Sequence, residues 1–463
     1  MTGKGYALLF EQGCGKTLTA IAIMGRLYLD KRIKKLLVLA PLSVCPVWPK
    51  EFAQYADYPV HCINLPEVTA RQQRKSLHDD LRGGRLWDGL NVVVVNYEIL
   101  RKPPMLQLVQ DWMPDAIICD ESQRIKNPQA QQSKGAHALG DLAKYKLILS
   151  GTPVCNTPLD YWSQYRFLQP DVFGKSYYAF RARYAQMGGY QNHEVLAVRR
   201  LGELSSKAHS IASRVRKADA LDLPEYTTQT LYCDLEPNAR VAYDTLARVG
   251  ALELDGAEKI TAPMVITRML RLAQLTGGYF VGMNGNTPEE TPENISAAKV
   301  YLLKDTVADL IAAGHKIVVF CRFVPEILLL KSVIEDMYKA TGMRQHQDAV
   351  RVMYGATPAE ERGRIVEEFQ TNPDIKVFIA QTHTAGLGIT LHAADTCIFY
   401  SPDFSYTDYA QARDRIHRGG QTKKCTCIHL CCRDTIDELA FAAIEQKKGL
   451  ADSAVDMWRS FLH

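Results

Sequence analysis

The sequence predicts an α/β protein in which two parallel-sheet domains flank a mostly helical insertion. Short apolar runs alternate with helix-like stretches in the first part of the chain. The same alternation recurs after about residue 296. The stretch between is rich in Arg, Tyr and Ala and poor in strand-like runs. Continuous apolar runs bounded by polar residues read as strands buried on both faces, as in a parallel sheet, and helical segments between them read as crossovers. A length of 463 residues suggests roughly three domains at about 150 residues each. The expected boundaries are 1–170, 171–295 and 296–463.

In the first domain the strand-like runs are YALLF (6–10), LLVLA (36–40), VVVVN (92–96), AIICD (116–120) and LILS (147–150). Segments 16–29 and 71–82 fit crossover helices. In the middle stretch only TTQTLYCDL (227–235) reads as a strand, and GMNGNTPEETPEN (282–294) reads as a linker, because such residues cannot bury a core. The second domain brings KIVVF (316–320), VRVMY (350–354), KVFIA (376–380), TCIFY (396–400) and CTCIHL (425–430), with helices expected at 325–340 and 358–370.

Apolar residues make up 47% and charged residues 23%, which excludes wholesale disorder. No apolar run approaches about 18 residues, so no membrane span is expected. The start, MTGKGYALLF, is too short and polar for a signal peptide. Twelve cysteines without such a signal read as reduced thiols. A cytoplasmic location is expected, or a nuclear one in a eukaryote. The net charge of +4 leaves a polyanionic partner open, since the placement of the charge decides.

EQGCGKT (11–17) lies between a strand and a helix, the context of a phosphate loop. Gly13 and Gly15 let backbone N–H groups turn toward a polyphosphate. Lys16 would reach the β- and γ-phosphates, and the Thr17 hydroxyl would ligate Mg²⁺. The general pattern has Gly at position 10, where this chain has Phe10. AIICDESQ (116–123) sets Asp120 and Glu121 at the end of a strand, where open α/β sheets bind ligands. One carboxylate can hold Mg²⁺ while the other deprotonates water. Alone, such a pair is an ordinary helix-start pair; downstream of a phosphate loop it reads as catalytic. Ser150 and Thr152 in LILSGTP (147–153) could link the nucleotide to neighbouring structure. In QARDRIHRGGQ (411–421), Arg415 and Arg418 are three apart and would share a helix face as a phosphate clamp. A nucleotide is then expected where the two α/β domains meet.

Taken together, these strings resemble the Swi/Snf-like branch of superfamily 2 helicases, the ATP-driven double-stranded DNA translocases. EQGCGKT resembles motif I, LAPLSVCPVWPKEF (39–52) motif Ia, and DESQ (120–123) motif II, preceded by VVVNYEIL (93–100). LSGTPVCNTPLDYWSQYRFLQPDVFG (149–174) resembles motif III and its tail. VVFCRF (318–323) resembles motif IV, QTHTAGLGITLHAADTCIFY (381–400) motif V, and QARDRIHRGGQ motif VI, followed by DTIDE (434–438). The resemblance implies two RecA-like lobes with helical protrusions between them, ATP and Mg²⁺ as ligands, and hydrolysis coupled to movement on double-stranded DNA. It implies phosphate binding by Lys16, Mg²⁺ binding by Thr17 and Asp120, and Glu121 as catalytic base. It further implies Arg418 with Arg415 as arginine finger, and Gln411 and Gly388 at the nucleotide. Pro41, Ser43, Arg322 and Thr384 would contact the DNA backbone.

The family has a Gln element that reads adenine ahead of motif I. Only fifteen residues precede Lys16 here, so either the start is internal to a longer frame or adenine is held loosely. Gln123 stands where many relatives have His. The short insertion points to a compact bacterial or viral member, expected to be monomeric, with no recruiting protein or nuclease identifiable. Basic clusters at KRIKK (31–35), VRR (198–200), RVRKADALDLP (214–224) and TKK (422–424) are candidate phosphate contacts or solvated surface. CTCIHLCC (425–432) spans too far along a strand to chelate one metal ion. His392 and His417 read as structural, and Cys14 as a thiol of open reactivity. Two other functions fit the same motifs, a strand-separating or annealing helicase on forked DNA and a non-enzymatic, nucleotide-gated DNA-binding scaffold.

Overall fold

The apolar runs become strands close to where the sequence places them. The computed structural model describes residues 5–68, 71–84, 86–155, 157–188, 194–255, 262–280, 283–284, 287–288, 293–340, 349–384 and 389–456. Two compact units divide between Leu221 and Asp222, the second running to Gln446.

The first unit holds β1 (Gly5–Phe10), β2 (Lys35–Ala40), β3 (Val60–Asn64), β4 (Leu90–Asn96), β5 (Ala116–Asp120) and β6 (Tyr145–Leu149). A hairpin of β7 (Ala185–Gly188) and β8 (Glu194–Val198) follows, then β9 (Ala212–Val215). The sheet order is β3-β4-β2-β5-β6-β1-β9, with every pairing parallel. All seven residues of β4, LNVVVVN, are buried, as a strand covered on both faces requires. Ile21 and Met24 of the helix Lys16–Leu29, with Trp48 and Phe52 of the helix Val47–Tyr55, pack on Leu36, Val38 and Ile118. Burial of each such side chain contributes about 1.5–3 kcal/mol.

The second unit begins with β10 (Tyr226–Cys233). Two short antiparallel pairs follow, β11 (Tyr279–Phe280) with β14 (Glu293–Asn294) and β12 (Met283–Asn284) with β13 (Thr287–Pro288). Then come β15 (Ile317–Cys321), β16 (Val350–Met353), β17 (Val377–Gln381), β18 (Thr396–Phe399) and β19 (Cys425–Cys432). The sheet order is β10-β19-β18-β15-β17-β16, again all parallel. Leu303 and Val307 of the helix Ala298–Ala312 and Ile327, Leu330 and Ile334 of the helix Val324–Ala340 cover Val319, Val377 and Ile379. Both sheets are flanked by helices, the α/β architecture expected.

The expected division at 170 and 295 does not coincide with the compact units. The middle stretch is helical over most of its described length, but it also supplies an edge strand to each sheet. β9 pairs with β1 in the first unit, and β10 pairs along eight residues with β19 in the second. Of the linker expected at 282–294, the described residues 283–284, 287–288 and 293–294 lie in the short antiparallel pairs, and the others fall outside the described residues. Among the described residues no helix is long and apolar enough to cross a membrane.

Candidate functional site

Parallel pairing puts the C-terminal ends of β1, β2, β5 and β6 on one edge of the first sheet, so the loops leaving them emerge together. The loop after β1 turns on Gly13 and Gly15, with φ of 83° and 80°, left-handed values that a side chain would oppose. Gly15 caps the helix Lys16–Leu29 without a side chain, and no acidic residue lies in its first turn. The first N–H groups of that helix are thus suited to an anion. Lys16 is 8% exposed, and its Nζ donates to the carbonyls of Phe10 (3.0 Å) and Glu11 (3.3 Å). The ammonium lies back across the loop that a polyphosphate would fill. Thr17 is half-buried beside it.

The acidic pair leaves β5. Asp120 is 6% exposed, and its Oδ2 accepts from Trp48 Nε1 at 3.1 Å while its Oδ1 accepts from the Glu121 backbone N–H at 3.0 Å. Its own carbonyl accepts from the Tyr97 hydroxyl at 2.7 Å. Burial and the Glu121 charge push its carboxyl up to about 7, against the pull of Lys16. A buried carboxylate so disfavoured gains from a cation beside it. Glu121 adopts φ of 50°, a left-handed value uncommon for such a residue. Its Oε1 accepts from Gln12 Nε2 (2.8 Å) and its Oε2 from Gln123 Nε2 (2.7 Å). Gln123 Oε1 in turn accepts from Ser150 Oγ at 2.7 Å, and Ser150 Oγ accepts from the Thr152 backbone N–H at 3.1 Å. Three strand ends are thereby joined by hydrogen bonds into one constellation.

Several residues at this site carry no local sequence signal. Trp48 and Tyr97, each 1% exposed, are core residues that also hold Asp120. Arg214 of β9 belongs to an expected surface cluster, yet its side chain is 4% exposed. Its Nη1 donates to the Leu9 carbonyl (2.9 Å) and its Nη2 to Glu11 Oε1 (3.0 Å), while the Lys217 backbone N–H donates to Glu11 Oε2 (3.0 Å). Arg214 therefore anchors the phosphate loop. Burial and the Glu11 charge raise the Cys14 thiol, which opposes thiolate formation.

The second unit carries the other candidates. Gln411, 9% exposed, lies on the helix Tyr406–Arg413. Arg415 and Arg418 do not share a helix face, because that helix ends at Arg413 and the chain continues in turns. The N–H groups of Arg415 and Ile416 bond carbonyls three residues back, and Gly420 takes φ of 93°. Gln421 Nε2 pulls the turn onto the carbonyls of Ala394 (2.8 Å), His392 (3.1 Å) and Ile416 (3.1 Å). The two arginines still converge. Both Nη1 atoms reach the Ile389 carbonyl, at 3.4 and 3.5 Å, and Arg418 also donates to Thr390 Oγ1 at 2.8 Å. Gly388 lies outside the described residues. His417 contacts the Pro224 carbonyl and His392 contacts Gln370, both as packed groups.

Of the expected DNA contacts, Pro41 is buried and Ser43 half-buried in the turn after β2. Arg322 follows β15, 3.6 Å from Asp403 and against the rings of Phe323 and Phe404. Thr384, 5% exposed, follows β17 and donates to Gln381 Oε1 at 3.3 Å. Lys31, Arg32, Lys34, Arg199 and Arg200 are exposed, whereas Lys423 and Lys424 pair with Asp395 and Glu225. The cysteines of β19 are buried free thiols, and the described residues contain no group of three His, Cys, Asp or Glu placed to hold a metal ion.

Comparison with known proteins adds an independent line. The profile of the SNF2-related domain matches residues 2–276, and that of the helicase conserved C-terminal domain matches residues 298–420. The chain is 28% identical to a probable ATP-dependent DNA helicase of Arabidopsis thaliana over 95% of its own length and 40% of that protein's. It is 27% identical to the ATP-dependent helicase brm of Drosophila melanogaster, over 96% and 27%. It is 27% identical to the chromodomain-helicase-DNA-binding protein 1-like of Mus musculus, over 96% and 47%. The chain thus spans less than half the length of each of these relatives. Among solved structures, the Sulfolobus solfataricus SWI2/SNF2 ATPase core in complex with dsDNA aligns with 100% of this chain and 91% of that chain, at 26% identity and a TM-score of 0.41. With one profile matching more than half of its residues and a second matching part of its later α/β unit, the chain belongs to the SNF2-related family.

Proposed function

We propose that this chain is a DNA-dependent ATPase that couples hydrolysis to movement along double-stranded DNA. The observation that carries the reading is the run of hydrogen bonds from Gln12 through Glu121 and Gln123 to Ser150. It gathers a phosphate loop, an acidic pair and a coupling hydroxyl at one sheet edge, which is what phosphoryl transfer to water needs. Membership of the family, and relatives named as ATP-dependent DNA helicases, support DNA as the track.

The residues fit ATP with Mg²⁺. The loop N–H groups and Lys16 would take the phosphates, and Thr17 and Asp120 would hold the ion. A bound ion would supply charge that neutralises the phosphates. Glu121 would accept a proton from the attacking water as the bond to the γ-phosphorus forms and the bridging bond breaks. Gln411, Gly388, Arg415 and Arg418 are the proposed nucleotide-side groups of the second unit, the two guanidiniums stabilising charge on the departing phosphate. Pro41, Ser43, Arg322 and Thr384 are proposed to contact or shape the DNA backbone track, without sequence readout.

The test is steady-state ATP hydrolysis with duplex DNA, single-stranded DNA and RNA in parallel. Stimulation by duplex well above the other two is expected, with Lys16→Ala and Glu121→Gln both inactive. Equal stimulation by all three polymers, or turnover retained in either variant, contradicts the reading.

A further inference from the structure

We infer that Gln12 is a positioning residue for Glu121, fixing the carboxylate that accepts the proton of water against the phosphate loop. The inference rests on the reading of Glu121 as the base, and it adds a residue that the motif strings do not single out.

The direction of each hydrogen bond follows from the carboxylate, which only accepts. Gln123 must therefore present Nε2 to Glu121 Oε2, which turns its Oε1 toward Ser150. Ser150 Oγ gives its one proton to that oxygen and accepts from the Thr152 backbone N–H. The other carboxylate oxygen, Oε1, faces Gln12 Nε2. Glu121 is therefore held by one amide on each oxygen, one from its own turn and one from the phosphate loop. A carboxylate oxygen has two acceptor positions, so each amide leaves one for water.

Gln12 is itself well placed to do this. Glu11, immediately before it, is fixed by Arg214 and the Lys217 backbone. On the other side the chain at Gly151 runs so close that an added Cβ would lie 3.3 Å from the Phe10 carbonyl and 3.4 Å from the Gln12 nitrogen. The neighbours hold the loop backbone, and the side-chain amide is left to reach the carboxylate. An amide suits the task chemically. It orients an anion without contributing a full positive charge, which would weaken the carboxylate as a proton acceptor. The left-handed backbone of Glu121, unfavourable on its own, gives a reason for holding the side chain from two sides.

The experiment is steady-state hydrolysis of ATP by the full chain with saturating duplex DNA. The unchanged chain is measured first, and absence of hydrolysis there overturns the functional reading itself. With the unchanged chain active, Gln12→Met keeps the shape and removes the donor. Its kcat is expected to fall about tenfold, the scale of one hydrogen bond to a charged group, with KM for ATP within twofold and the melting midpoint unchanged. Gln12→Glu, which sets one carboxylate against another, is expected to lose more. Gln12→Ala gives the same reading as Gln12→Met should the latter fold poorly. A kcat for Gln12→Met or Gln12→Ala within twofold of the unchanged chain overturns the inference and leaves the functional reading standing. So does a loss carried in KM or in the melting midpoint, because it would mark Gln12 as part of the loop's structure only.

Discussion

Arg214 lies in a basic run that looks, by composition, like surface for phosphates, yet the folded chain buries its guanidinium against Glu11 and the Leu9 carbonyl. The partner lies 203 residues away in sequence, so no local pattern could have shown it. The same is true of Trp48, which reaches Asp120 across 72 residues. The placement of Lys16, Thr17, Asp120 and Glu121 at strand ends of one sheet was legible because it follows from short strings next to a strand end. Their supports are tertiary and were not. Arg214→Leu leaves the Glu11 carboxylate with the Lys217 N–H and removes a partly buried charge pair. Because Glu11 is one-third exposed, water compensates in part. A loss of about 2 kcal/mol is expected in urea unfolding, below the range for a fully buried pair. A variant within experimental error of the unchanged chain would remove Arg214 as the loop's anchor.

At the scale of elements, the central strands were legible because strands covered on both faces carry continuous apolar runs, as LLVLA in β2, VVVV in β4, AIIC in β5 and IVVFC in β15 show. The edge strands β3 (VHCIN) and β9 (ASRV) are only half-buried, so polar residues are tolerated and the apolar signal fades. Spacing alone also set Arg415 and Arg418 on one helix face, because i, i+3 says nothing about where a helix stops, and this one stops at Arg413. The start of the helix Val324–Ala340 carries a testable element of its own. Glu326 is fully buried and accepts from the Phe323 N–H and the Ser401 hydroxyl, next to Arg322, whose N–H also donates to Ser401. Burial pushes its carboxyl up to about 7. The folded chain then holds this proton more tightly than the unfolded chain, where the group titrates near 4. Its contribution to stability is complete below about pH 4 and is lost as pH rises through about 7. Glu326→Gln should therefore be more stable than the unchanged chain at pH 8, by about 1–3 kcal/mol, with no such gain at pH 4. An equal effect at both pH values in thermal unfolding would contradict that origin.

For the molecule as a whole, two parallel-sheet units each bring their own part of the proposed chemistry. The first holds the phosphate loop and the acidic pair, and the second holds the paired arginines. The near-balanced net charge of +4 says little about a track; the distribution says more, since Lys31, Arg32 and Lys34 stand exposed while Lys423 and Lys424 are engaged in ion pairs. Motion along a duplex, rather than hydrolysis alone, separates a translocase from a strand-separating helicase and from a nucleotide-gated scaffold. The most direct measurement is displacement of a third strand from a DNA triplex, with the unchanged chain and with Glu121→Gln. Displacement that requires ATP, fails in Glu121→Gln and leaves the underlying duplex annealed is the predicted result. ATP turnover with the third strand left in place, or displacement that proceeds equally well without ATP, would contradict it.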